Sequence, residues 1–231
     1  MIYALDDNII AFPDPKLGEP DGVLAVGGDL SVERLMLAYA NGIFPWYDFK
    51  KDKRIIWYCP MERFIIVPWE LHISHSLRTL MNKGIYSFTM DKAFDEVIHH
   101  CATVNGRCDM QGAWLGPDII NAFTKLYHEK IAHSIEVWRN EDTLVGGLYG
   151  VLTKHCFIGD SMFSLEPSGS KLAMVGLCQN MMLLNVYMID CQLETPHLKS
   201  MGGRSISYDM YMNMMEGRIK RIPPKEESIQ S

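Results

Sequence analysis

Apolar and polar positions change their period along the chain, and the changes divide it. The first stretch is broken by turn formers: Phe12-Pro13-Asp14-Pro15, then Gly18-Glu19-Pro20-Asp21-Gly22, then Gly27-Gly28-Asp29. Ser31 is a helix-capping residue, Glu33 suits a first turn, and Leu35, Met36 and Tyr39 supply an apolar stripe that Gly42 ends. Bulky groups then crowd around a proline in Ile43-Phe44-Pro45-Trp46-Tyr47, as expected under a loop or along a pocket wall. Ile55–Cys59 and Arg63–Val67 read as short strands separated by Pro60, and helical spacing follows over Ser74–Lys83, Ala93–Cys101 and Pro117–Glu129. Alternation takes over next, predicting consecutive antiparallel strands over Ser134–Arg139, Leu144–Thr153 and Cys156–Phe163.

Ser168 is placed to cap a long helix, about Gly169 to Leu184. Leu172, Val175, Gly176 and Leu183 mark one face of it, and Met174, Leu177, Met181 and Leu184 the other. A helix apolar nearly all round is a buried one. Tyr187–Gln192 reads as the next strand, Ile206–Glu216 as a final helix, and Pro223-Pro224-Lys225-Glu226-Glu227 as a disordered tail. These elements describe a loop-rich first third, residues 1–68, and an α+β remainder, residues 69–231. In that remainder a mostly antiparallel sheet packs on the buried helix, with a soft boundary near Pro68.

Composition narrows the setting. The 231 residues include no apolar run approaching the ~20 of a membrane span, and the start Met1–Asp7 lacks a signal peptide's basic and apolar regions, so a cytoplasmic protein is expected. Six scattered cysteines, with no Cys-x-x-Cys pair, fit a reducing compartment. His99-His100-Cys101 followed by Cys108 invites a zinc reading, but a helix end plus an ordinary loop accounts for it better, and no metal is expected. A net charge of −6 excludes a broadly basic surface, so any nucleic-acid partner needs a local patch. Lys50, Lys51, Lys53 and Arg54 form one candidate, and Arg218, Lys220, Arg221 and Lys225 another; each run alone reads equally as a solvated edge.

Three segments carry candidate chemistry. Gly146-Gly147-Leu148-Tyr149-Gly150 lies in a strand with no helix opening after it, so it is not a phosphate loop. Its glycines mark a bulge or the close approach of a backbone or a substrate chain. Gly159–Ser164 puts Asp160 at an apolar strand end, either in a turn role or ready to bind a cationic group. Alternation predicts that Asp160, Met162 and Ser164 share one side. At Ile189-Asp190-Cys191-Gln192 the same rule puts Asp190 and Gln192 on one face and Cys191 on the other. That favours a core thiol over a nucleophile, and leaves His197 as either a partner or a loop histidine.

Read in order, these segments and several others resemble the leucyl/phenylalanyl-tRNA–protein transferases. The resemblance rests on Phe12–Pro15, Gly22–Leu30, Tyr39–Trp46, His133–Trp138, Gly146–Gly150, Ser161–Ser164, Ser170-Lys171 and Ile189–Gln192, nearly the whole chain. It implies a small N-terminal domain joined to a larger N-acetyltransferase-like domain. It further implies transfer of Leu or Phe, and less well Met, from aminoacyl-tRNA to proteins with N-terminal Arg or Lys, with neither metal nor ATP. Such a product is a degradation signal. A monomer is expected. Position by position it carries the family's site onto Trp46, Trp114, Leu148, Asp160, Leu177, Met181, Asp190 and Gln192. The chain departs from the family in places: Asp160 stands where Glu is usual, Leu177 and Met181 where aromatic residues can occur, and Tyr208 where Arg is usual.

The ester between amino acid and tRNA is already activated, so an amine can displace it without a cofactor. The acceptor α-amino group has a pKa of about 7.7–8.0, and positioning two substrates can lower the barrier by about 7–11 kcal/mol. An aspartate at its ordinary pKa of about 3.9 is a poor base at neutral pH. Gln192 is therefore expected to accept a hydrogen bond from the amine, with Asp190 orienting and polarising its amide. Leu148, Leu177 and Met181 are expected to line the donor pocket, unless they are simply core. Trp46 and Trp114 either stack on the terminal adenosine or anchor the fold. Asp160 is the candidate anchor for a basic acceptor side chain. An acetyl-CoA-dependent N-acetyltransferase and a non-catalytic N-terminal peptide-binding module are the alternatives. The usual pyrophosphate loop of the former is absent.

Overall fold

The computed structural model describes residues 2–46, 54–104 and 115–221. Its first part is more regular than the turn formers suggested. Strands β1 (Tyr3–Leu5), β2 (Val23–Gly27), β3 (Phe44–Trp46) and β4 (Ile56–Tyr58) form a four-stranded sheet in the order β1-β2-β4-β3. Strands of three to five residues are too short for alternation to declare them, which is why only β4 was predicted. Helix α1 (Val32–Ala40) starts as expected, with the Ser31 hydroxyl accepting from the Arg34 backbone N–H. Gly42 leaves it at a φ of 70°, a left-handed conformation suited to glycine.

The larger sheet has seven strands: β5 (Glu62–Ile66), β6 (Tyr86–Met90), β7 (Ala132–Arg139), β8 (Thr143–Leu152), β9 (Cys156–Ser164), β10 (Met188–Asp190) and β11 (Arg204–Ser207). Their order is β11-β5-β10-β9-β8-β7-β6. β5 is hydrogen-bonded in this sheet, so the chain enters it before Pro68. Strands β6 to β9 follow one another antiparallel, as the alternation predicted. β10 instead runs parallel to β9, and a parallel neighbour requires a crossover. The crossover is α5 (Gly169–Leu183), which is buried along most of its length. The whole is α+β, with a mostly antiparallel sheet.

Apolar side chains of both sheet faces find partners. One face packs with the small sheet and α1, with α3 (Phe94–Thr103) and α4 (Pro117–His128), and with α7 (Tyr208–Met215). The other packs on α5, α2 (His75–Met81) and α6 (Pro196–Ser200).

Two expectations change here, and one set of alternatives narrows. Ser168 does precede α5, but in a left-handed conformation with no side-chain cap. Ser164, six residues before Ser170, accepts that residue's N–H at 2.7 Å instead. The final helix begins at Tyr208 because Arg204–Ser207 pairs with β5. The glycines of β8 admit the protein's own backbone rather than a substrate chain. A Cβ on Gly146 would lie 2.5 Å from the Gly169 backbone, and one on Gly150 2.0 Å from the Ile158 carbonyl.

Candidate functional site

β9 and β10 stay together for three residues, Cys156–Ile158 against Met188–Asp190, and then part. Two local irregularities open them. On β9 the register against β8 shifts between Tyr149 and Gly150. On β10 the strand stops because Gln192 takes a φ of 63°, a left-handed turn held by its backbone N–H donating to Asp190 Oδ1 at 2.8 Å.

The gap holds a cavity of about 460 Å³ with an apolar wall from Leu148, Met162, Met174 and Leu177. A smaller one of about 200 Å³ is bounded by Phe44, Pro45 and Trp46 of β3. Asp160, Cys191, Gln192, Thr195 and Leu198 line both. A ligand reaching from an apolar chamber to an aromatic one would pass these residues.

Asp190 is not among them. It is fully buried on the opposite face, where its carboxylate forms an ion pair with the fully buried Arg63. The Arg63 guanidinium also donates to the Gly42 carbonyl at 2.6 Å and lies over the Phe44 and Tyr211 rings, 5.1 and 4.7 Å from their centroids. Asp190 therefore orients the backbone of Gln192 and not its side-chain amide, because the left-handed turn sends the two side chains to opposite sides. Alternation placed Cys191 correctly against Asp190, but Cys191 is the one that lines the cavities. Burial holds its thiol well above the usual range, so it remains protonated and is no nucleophile.

The Gln192 amide instead directs Nε2 at Asp160 Oδ1, 3.4 Å away. Tyr39, 121 positions earlier in the chain, donates its hydroxyl to the same oxygen at 2.8 Å. Asp160 as a whole is half-buried, but its Oδ2 is buried and has no hydrogen-bond partner among the described residues. Burial pushes the Asp160 carboxyl up to about 8; the Tyr39 hydrogen bond opposes this, and the Asp190 charge adds to it.

Leu148 and Leu177 line the larger cavity. Met181 does not: it is fully buried in the core near the end of α5, and Met162 and Met174 supply the sulfur-bearing wall. Trp46 is 38% exposed at the smaller cavity, and Trp114 lies outside the described residues. His197 lines the larger cavity with Nε2 buried and unpartnered, and burial, then Lys171, lowers its pKa. Tyr208 donates to the Asn41 carbonyl at 3.0 Å and so ties α7 to α1.

Tyr39, Arg63, Met162 and Met174 went unrecognised as site residues. Tyr39 had declared itself only as one member of an apolar stripe. Among the described residues no group of three or more His, Cys, Asp or Glu is placed to hold a metal ion, and no helix is long and apolar enough to cross a membrane. Lys50, Lys51, Lys53, Cys108 and Lys225 lie outside the described residues. Of the late basic run, Arg218 pairs with Glu216 and Lys220 lies over the Tyr187 ring.

Comparison with known proteins supplies a family. Residues 65–216 match the sequence model described as "Leucyl/phenylalanyl-tRNA protein transferase", and residues 28–61 that of its N-terminal domain. Proteins named leucyl/phenylalanyl-tRNA–protein transferase are similar over most of their length. That of Desulforapulum autotrophicum is 41% identical over 95% of this chain and 94% of its own. That of Syntrophobacter fumaroxidans is 43% identical over 96% and 92%, and that of an Anaeromyxobacter species 46% identical over 89% and 85%.

Proposed function

The chain belongs to the leucyl/phenylalanyl-tRNA–protein transferase family, and from that premise we propose that it moves Leu or Phe, and less well Met, from aminoacyl-tRNA to the α-amino group of proteins beginning with Arg or Lys. Its products are then marked for degradation, and the reaction takes place in the cytoplasm. The observation that carries this reading is the pair of cavities sharing Asp160 and Gln192.

The larger, apolar cavity takes the donor side chain. Methionines adapt to ligands of different shape, so Met162 and Met174 suit Leu, Phe and Met together. The smaller cavity takes the terminal adenosine of the tRNA, stacked on Trp46; base–aromatic stacking of this kind contributes roughly 1–3 kcal/mol. The scissile ester then lies between them, beside Gln192. Because Gln192 Nε2 is held toward Asp160, its planar amide turns the carbonyl oxygen to the other side, where the N–H of an attacking amine can donate to it. Asp190 contributes by fixing the Gln192 backbone.

Radiolabelled leucyl-tRNA with a peptide beginning in Arg tests the reading directly, acetyl-CoA serving as the competing donor. Transfer of label to the peptide is expected. Acetylation in its place, or peptide binding without turnover, would overturn it. Valyl-tRNA is expected to be a poor donor because branching at Cβ widens the group that must pass the cavity mouth, and equal rates for valyl- and leucyl-tRNA would remove the shape argument.

A further inference from the structure

We infer that Asp160 is the proton acceptor of the transfer step, taking the proton that the acceptor amine loses and delivering it to the departing ribose oxygen. The inference rests on the aminoacyl-transfer reading above. It starts from an unsatisfied hydrogen-bond acceptor: Asp160 Oδ1 already accepts from Tyr39 and Gln192, whereas Oδ2 is buried with no hydrogen-bond partner among the described residues. A buried polar atom without a partner costs free energy unless a substrate group completes it. Asp160 lines both cavities, at the place where the ester must lie if they hold the two halves of one donor.

The step balances without a co-reactant. The neutral amine nitrogen attacks the ester carbonyl carbon and the new C–N bond forms. One N–H proton passes to the Asp160 carboxylate, the bond from carbon to the ribose oxygen breaks, and Asp160 returns the proton to that oxygen. Donor and acceptor are exchanged, and the enzyme ends as it began.

An ordinary aspartate is too weak a base for this. Burial removes that objection by bringing the carboxyl to about 8, beside an acceptor amine at about 7.7–8.0. Such a group does not stay a fixed negative charge at neutral pH, so it does not serve as the permanent anchor for a basic acceptor side chain, the candidate role given to it above. Other ionisable groups face it: Tyr39 from α1, Tyr149 from β8, Arg63 from β5 and Asp190 from β10, with His197 of α6 on the same cavity. Among these the buried tyrosines titrate well above neutral and His197 below its ordinary value.

The test is the pH dependence of kcat/KM for an Arg-starting peptide at saturating leucyl-tRNA, between roughly pH 5.5 and 8.5, which brackets both groups. Two ionisations, one on the enzyme and one on the amine, are expected to give a limb whose logarithm rises with a slope approaching two. Asp160→Asn is nearly isosteric and should leave one ionisation, a slope of one. It should also lower kcat/KM about 10²–10⁴-fold at the alkaline end. Tyr39→Phe removes a hydrogen bond that favours the carboxylate, so the enzyme limb should move to higher pH while the amine limb stays. A non-hydrolysable leucyl-adenosine amide should bind both variants as it binds the wild type. A slope of two in Asp160→Asn, or an unmoved profile in Tyr39→Phe, overturns the assignment. Failure of the wild type to transfer label at all would instead overturn the reading on which it rests.

Discussion

At the scale of single residues the site depends on two aspartates that the chain treats in opposite ways. Asp190 is fully buried in an ion pair with Arg63, whereas Asp160 is half-buried, its buried Oδ2 without a hydrogen-bond partner among the described residues. The difference has a consequence for stability. In the unfolded chain Asp160 loses its proton near 3.8, and in the folded chain near 8. Between those values the folded state holds the extra proton, so stability falls as pH rises through the window. Asp160→Asn lacks this slope. Thermal unfolding at pH 5 and at pH 8.5, values chosen inside and above the window, should show the variant gaining on the wild type at the higher pH. No change in the difference would mean that Asp160 is not desolvated as drawn. Gln192→Ala should lower kcat with little change in donor binding, because the amide meets the attacking amine and not the donor side chain; single-turnover rates with saturating leucyl-tRNA measure it. From the sequence, an aspartate at a strand end carries no mark of its surroundings. Asp160 and Asp190 differ only in which distant residues arrive, Tyr39 for one and Arg63 for the other, and those lie 121 and 127 positions away.

At the scale of elements, legibility followed length and periodicity. The long segments β7, β8, β9 and α5 were drawn by alternation or by continuous hydrophobicity, and their order followed. β1, β2, β3, β6 and β11 were not seen, because three to five residues beside turn formers give no pattern to count. β10 was expected to reach Gln192 and stops at Asp190, since a side chain hydrogen-bonding its own backbone two residues on competes with the ladder. His133-Ser134-Ile135-Glu136 helped to identify the family but stands away from the chemistry. Buried Glu136 accepts from the Thr89 and Ser134 hydroxyls and from the Lys92 and Ala93 N–H groups, doing for α3 what its uncapped N-terminus lacks. The glycine pair at the α5–β8 contact yields a prediction here. Gly146→Ala would press a methyl against the Gly169 backbone and lift α5, costing about 1–3 kcal/mol in denaturant unfolding. Because α5 carries Met174 and Leu177, the donor KM should rise as well, and a wild-type KM would show that the helix end yields without moving the wall.

At the scale of the whole molecule, the Arg63–Asp190 pair joins pieces that are far apart in sequence. Arg63 comes from β5, takes the Gly42 carbonyl beyond α1, lies against Phe44 of the small sheet and Tyr211 of α7, and meets β10 through Asp190. Arg63→Met alone leaves a buried carboxylate unpaired and should cost about 3–5 kcal/mol. The double replacement Arg63→Met with Asp190→Leu removes both charges, and much of the stability should return. Turnover should not return with it, because the Gln192 N–H has lost its acceptor. Denaturant unfolding and kcat measured on the same two proteins separate scaffolding from positioning; full recovery of kcat in the double variant would leave the pair a scaffold only.

The split between β9 and β10 also distributes labour in a way that bears on how such an enzyme can change. Asp160 and Gln192, the groups that the proposed reading puts beside the reacting bond, sit on the strand ends, while two of the four apolar wall residues, Met174 and Leu177, come from the crossover helix. On that reading, part of the donor wall is encoded in a stretch of sequence apart from Asp160 and Gln192. A lineage, or an experimenter, can retune Met174 and Leu177 to admit a different amino acid and leave the transfer step intact, so donor choice is the trait most open to drift.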